Sequence, residues 1–168
     1  MRPTRLDAAR MSRRRAILFS LPASGLALIT SKAFAGVPSE QAVYRGGTLD
    51  RPQPSDVGLA STSGAEAFSF RYGDGELSIP YGRVNLLEYG QKAGRRLGLA
   101  ILVSPLFLLS KKRRHYLTIG YRDEQGEQQA AVFELGKKIV RATLAGLEAR
   151  TGIEVDYENE EARQAARR

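Results

Sequence analysis

The chain has 168 residues, with 26 basic and 18 acidic side chains, a formal net charge of +8 and no cysteine. That length suits one domain and excludes a large multidomain enzyme. The missing cysteines exclude a disulfide scaffold, a thiolate metal centre, a cysteine nucleophile and a lipidated N-terminal cysteine, and the single histidine, His115, excludes a multi-histidine metal site within one chain.

The charge is unevenly spread. Seven of the 26 basic groups but only one of the 18 acids fall within residues 1–35, which leaves 19 basic and 17 acidic groups, a net of +2, in the other 133. The leading segment reads as an address. Arg13-Arg14-Arg15 precede an apolar run of about 15 residues, from Ala16 to Thr30, that contains Pro22 and Gly25. A spanning helix needs ~20 apolar residues, so the run fits a signal peptide better than an anchor. Ala33 and Ala35 supply the small-residue cleavage pattern, with cleavage expected before Gly36. The segment Met11 to Ala35 is a complete signal by itself, so Met11 is an alternative start. The expectation is an exported protein, periplasmic or secreted, whose domain is held by packing alone.

Residues 36–56 hold Pro38, Pro52, Pro54, Gly46 and Gly47 and few apolar groups. They read as an extended lead-in with a short strand near Gly47 to Leu49. From Ala67 the pattern has period two. Phe68, Phe70 and Tyr72 form one alternating run and Leu77, Ile79 and Tyr81 a second, on either side of Gly73-Asp74-Gly75. That spacing predicts a hairpin turning at Asp-Gly. Pro80 ends the second strand, because proline cannot donate to a ladder. Residues 84–91, with Leu87 and Tyr89, give a third strand.

Residues 91–121 contain no acid but seven cations: Lys92, Arg95, Arg96, Lys111, Lys112, Arg113 and Arg114. Between the two basic clusters lies a 13-residue apolar run, 97–109, broken by Ser104-Pro105, which is too short and too interrupted to span a membrane as one helix. One reading makes the run two buried strands joined at Ser104-Pro105. A second makes it an apolar loop that dips into a membrane whose anionic headgroups attract the basic shoulders, at ~1 kcal/mol per cation. A third keeps the run in the core and uses only the shoulders to bind an anionic partner. Nucleic acid is not an expected partner: stacking requires aromatics interleaved with the charges, and only Phe107 and Tyr116 lie close.

The clearest pairing is a hairpin of residues 116–122 and 128–134 around the polar loop Asp123-Glu124-Gln125-Gly126-Glu127. Leu117, Ile119 and Tyr121 alternate with Tyr116, Thr118 and Gly120, and Ala131 and Phe133 with Ala130 and Val132. After Gly136 the period becomes helical. Val140, Leu144 and Leu147 fall at i, i+4 and i+7, predicting a helix over 137–151 that covers one face of the sheet. Gly152 is the expected left-handed cap, Arg150 suits the helix dipole, and Ile153 is placed to pack back on the last turn. Residues 158–168 read as a charged tail, frayed or disordered, with Asn159 as a cap but no apolar stripe to dock it.

No catalytic constellation stands out. Four basic residues precede His115 and would favour its neutral form. A general base also needs an orienting acceptor and a nucleophile in reach, and no acid lies near it in sequence. A packing or hydrogen-bonding role is expected, with a small hydrolase using His115 as a distant alternative. There is no nucleophile elbow and no phosphate-cradling glycine loop. The acids Glu154, Asp156, Glu158, Glu160 and Glu161 match no calcium-loop spacing. No enzyme activity, metal or cofactor is expected.

The stretch YLTIGYRDEQGEQQAAVFEL, from Tyr116 to Leu135, with the helix that ends at Gly152, resembles the last strands and C-terminal helix of bacterial pleckstrin-homology-like (GRAM-like) domains. The strands at 68–72, 77–80 and 84–89 fit that family's first strands, so the resemblance covers about 57–157. It implies an α+β fold, an antiparallel β roll or barrel closed by one C-terminal helix, and a binding rather than catalytic role. The eukaryotic members' lipid motif, spaced basic residues in the first hairpin, has only Arg71 and Arg83 here, so phosphoinositide binding does not transfer. The functional expectation is an exported non-enzymatic binding domain. Its basic segment, Lys92, Arg95, Arg96 and Lys111 to Arg114, would contact anionic lipid or an envelope protein, the alternative being a structural or protein-interaction module of the envelope.

Overall fold

A computed structural model describes residues 38–90 and 114–167. These residues form eight strands and two α-helices. The strands are β1 (Ala42–Gly47), β2 (Val57–Ser61), β3 (Ala67–Tyr72), β4 (Gly75–Pro80), β5 (Val84–Gly90), β6 (Tyr116–Arg122), β7 (Gln128–Leu135) and β8 (Asp156–Tyr157). The helices are α1 (Val140–Thr151) and α2 (Glu160–Arg167), and a short 3-10 turn, Tyr81–Arg83, leads from β4 to β5. The sheet order is β4-β3-β2-β1-β7-β6-β5-β8. Two antiparallel meanders, β1 to β4 and β5 to β7, are thus joined along one seam, β1 against β7. Only β8 runs parallel to its neighbour, β5. The class is α+β with a mostly antiparallel sheet, and two helices follow the main sheet where one was expected.

The hairpins follow the sequence pattern closely. In the first, Tyr72 pairs with Gly75, so the two-residue turn is Gly73-Asp74 rather than Asp-Gly, and the positive φ of +46° belongs to Gly73. In the second, Asp123 organises the loop: its Oδ1 accepts the backbone N–H groups of Gln125 and Glu127 at 3.0 and 2.8 Å. Leu117, Ile119, Tyr121, Ala131 and Phe133 all enter the core, as their alternation requires.

Two strands depart from the expectation. Residues 36–56 are not merely a lead-in: Ala42–Gly47 is a central strand between β2 and β7. Ala42 and Tyr44 face the core, while Val43 and Arg45 are buried on the opposite face. A short strand buried on both sides lacks the polar-apolar alternation by which a half-exposed strand is recognised. β2 inverts the usual reading of its own alternation. Val57 and Leu59 are 46% and 47% exposed, whereas Gly58 is buried and Ala60 packs against the core. The neighbouring strand is the reason: a Cβ on residue 58 would meet the Arg71 carbonyl oxygen at 2.1 Å and the Phe70 ring at 2.9 Å. Glycine lets β2 close on that ring.

The core centres on Phe133. Its ring lies 5.7 Å from Tyr44, 5.4 Å from Phe68 and 5.1 Å from Phe70, all at steep interplanar angles. Those edge-to-face contacts are favoured by the ring quadrupole, and they connect β7 to β1 and β3. Helix α1 covers this cluster with the predicted stripe of Val140, Leu144 and Leu147. It starts three residues later than the pattern suggested. Gly136 and Lys138 donate their N–H groups to Gln41 and Ser39 at 2.8 and 2.9 Å, which binds that turn to the chain entering β1. At the other end Gly152 takes φ +71°, its N–H reaches the Glu148 carbonyl at 2.9 Å, and Ile153 packs on the core. Arg150 stacks over Tyr81 at 5.5 Å.

The expected tail is also ordered into the fold. Asn159 caps α2 by accepting the Ala162 N–H at 2.8 Å. Ala162 and Ala166, one turn apart, are buried in the same core as Val155 and Leu144. Their small side chains dock the helix, which is why no stripe of large apolar residues announces it.

Candidate functional site

Six of the seven proposed binding residues, Lys92, Arg95, Arg96, Lys111, Lys112 and Arg113, lie outside the described residues, as does the apolar run 97–109. The seventh, Arg114, enters β6 and turns inward. Its guanidinium donates to both carboxylate oxygens of Glu134, at 2.9 and 2.8 Å. Arg45, on β1, approaches the same carboxylate, at 2.7 Å through Nε and 2.6 Å through a terminal nitrogen. The side chains of Arg45, Glu134 and Arg114 are only 6%, 6% and 14% exposed. Arg114 is therefore part of an internal cation-anion-cation cluster. The sequence hid this cluster because its three members are far apart in the chain, Arg45 and Glu134 by 89 positions. The available signal was a single charge within each apolar strand, Arg45 after Ala42-Val43-Tyr44 and Glu134 between Phe133 and Leu135.

The cluster sits on the sheet face opposite the aromatic core. Val43, Thr118 and Val132 are buried on that face too, and Tyr116 lies directly across from Glu134 in the β6–β7 register. Burial pushes the Tyr116 phenol above its ordinary value and the Glu134 charge adds to this, while Arg114 and Arg45 oppose it.

His115 follows immediately. Its Nδ1 lies 2.5 Å from the Tyr89 hydroxyl, and the two rings stack with centroids 6.1 Å apart. Burial, and then the Tyr157 phenol, hold the Tyr89 proton well above its ordinary range, so Tyr89 donates and His115 accepts. The histidine pKa is lowered, chiefly by burial and next by Lys137, with Glu134 opposing. The neutral form is favoured as expected; among the described residues desolvation is the larger cause and Lys137, beyond β7, the next. A base needs an orienting acceptor and a labile nucleophile; His115 instead faces a phenol that keeps its proton. Among the described residues no group of three histidine, aspartate or glutamate side chains converges as metal ligands.

One further relation matters. Gly90, the last residue of β5, pairs with Tyr116, the first of β6, and the Leu135 N–H donates to the His115 carbonyl at 2.8 Å. The exit of β5, the entry of β6 and the exit of β7 thus share one end of the sheet. Lys137 and Lys138 follow β7 there.

Two outcomes follow from this geometry. Glu134→Gln keeps the side-chain volume but leaves two buried guanidinium groups without their anion. Losing one partner of a buried pair costs about 3–5 kcal/mol, so urea unfolding is expected to show a loss of that size, and an unchanged midpoint would contradict the cluster's role. For His115 the folded pKa lies below the unfolded value of 6.5, so the unfolded chain takes up the proton first as pH falls. The histidine's contribution is complete above that value and is lost progressively below it, down to the folded pKa. His115→Gln should flatten stability against pH across this window. Parallel wild-type and variant curves would show that His115 does not titrate between the two states.

No protein-family model, no curated protein and no solved structure matches the chain.

Proposed function

We propose that this chain is an exported, non-catalytic binding module of pleckstrin-like architecture that holds an anionic membrane surface at the end of the sheet where β5 gives way to β6. The mostly antiparallel sheet and the helix α1 packed on its core are compatible with that architecture.

The observation that carries the binding role is the pairing of Gly90 with Tyr116. In sequence, the shoulder Lys92 to Arg96 follows the end of β5 and the shoulder Lys111 to Arg113 precedes the start of β6, and those two strand ends are paired. Clustered cations at one end of a domain attract anionic headgroups at ~1 kcal/mol each, and the attraction is screened by salt. The apolar residues between the shoulders would add ~25 cal/mol for each Å² removed from water. Arg114 does not belong to the contact set, since its guanidinium is engaged with Glu134.

The test is co-sedimentation of the purified chain with phosphatidylglycerol or phosphatidylcholine vesicles at low and high salt. Salt-sensitive pelleting with the anionic vesicles is expected, and Arg95→Glu with Arg96→Glu should weaken it roughly tenfold or more. Absence of pelleting, or pelleting indifferent to the charge reversal, would overturn the surface reading and point to a protein partner in the envelope.

A further inference from the structure

A second cationic feature lies within the described residues and uses none of the basic shoulders. Between the start of α1 and the C-terminal half of α2 is a cleft of about 410 Å³, lined by Lys137, Lys138, Val140, Arg141, Ala165 and Ala166. Three of these described lining residues are cations and none of them is an acid. Lys138 pairs at the rim with Glu40 at 2.8 Å, but both side chains are mostly exposed, 66% and 72%, so the pair is weak and free to rearrange. Lys137 and Arg141 have no acidic partner among the described residues. The floor is Val140 and two alanines, and the small side chains on α2 keep the cleft open.

The placement of these charges runs against the local rule. The N-terminus of a helix is its positive end and favours acids, yet α1 has no acid in its first turn and Ile139 offers it no side-chain cap. Three cations gather instead where the helix already carries positive charge. The three side chains are exposed, which screens their mutual repulsion, and an anion lying among them would gain contacts from all three. A local rule broken without internal compensation marks a functional position better than a structural one.

We propose that this cleft binds a phosphate group, either a lipid headgroup phosphate or a soluble phosphate ester. A phosphate offers several acceptor oxygens in a tetrahedral array, enough to engage two lysines and an arginine together, and Arg141 suits it by forked donation. A carboxylate carries one negative charge against three cations, whereas a phosphate carries up to two. The volume lies within the range of small-molecule sites, so it accepts a phosphate with a short polar substituent, whose carbon atoms would meet Val140 and Ala166. This inference goes beyond the surface reading, since the residues are different and either can fail alone.

The experiment titrates the full-length chain with inorganic phosphate, against sodium chloride at matched ionic strength, and follows backbone amides by NMR. Saturable shifts are expected at Lys138, Arg141 and Ala166, together with a melting temperature that rises with phosphate concentration. Arg141→Glu is the decisive variant. It places an acid in the first turn, where the helix dipole favours one, so the fold is retained, while phosphate affinity should fall roughly tenfold or more. Arg95→Glu with Arg96→Glu should leave phosphate binding intact, which separates this site from the basic shoulders. Competition by phosphatidylglycerol vesicles would identify a headgroup as the ligand, and binding without competition a soluble phosphate. Unsaturable shifts in the wild type, or an Arg141→Glu variant that titrates like the wild type, would overturn the proposal.

Discussion

The structure depends on the pairing of β1 with β7. Everything from β1 to β4 is one meander and everything from β5 to β7 another, and among the described residues this ladder alone connects them within the sheet. Two consecutive residues of β7 secure it from opposite sides. Phe133 turns inward to Tyr44, Phe68 and Phe70, and Glu134 turns outward to Arg45 and Arg114. The inner contact is stabilised by apolar burial and ring geometry. The outer one is different in kind. Buried ion pairs gain little over an apolar substitute, but they strongly disfavour any register that leaves a charge unmatched. A one-residue slip of β1 would turn Arg45 toward the aromatic core and Tyr44 away from it. The seam is therefore specified as well as stabilised.

This arrangement explains which parts of the fold were legible in the sequence. β3 and β4 show the alternation of strands with one wet face, whereas β6 and β7 are buried on both faces and were legible from their β-rich composition and the polar loop between them. The helix stripe of α1 and its cap at Gly152 are equally local. What the sequence pattern does not carry is non-local. β1 is a strand because β2 and β7 flank it, not because Ala42-Val43-Tyr44-Arg45 has a pattern of its own. β2 presents Val57 and Leu59 to solvent because a glycine is the only residue that fits under Phe70. α2 docks through alanines, which leave no hydrophobic signature. Arg114 looked like one more solvated cation, and only its proximity to Glu134 across the β6–β7 ladder gives it a different role.

The same topology bears on function. Antiparallel neighbours bring the exit of one strand beside the entry of the next. Here the exits of β5 and β7 and the entry of β6 meet at one end. Among the described residues, Lys137 and Lys138 follow β7 at this end. His115 and Tyr89 pack at this end as a hydrogen-bonded pair.

The central claim is that one seam makes the two meanders a single cooperative unit. Native-state hydrogen exchange along β1 to β7 tests it most directly. If the seam is as described, slowly exchanging amides in β1 and β3 share one opening free energy with those in β6 and β7, because none is released without separating β1 from β7. If amides of β1 to β4 open at a clearly lower free energy while β5 to β7 stays protected, the meanders are independent and the account is wrong.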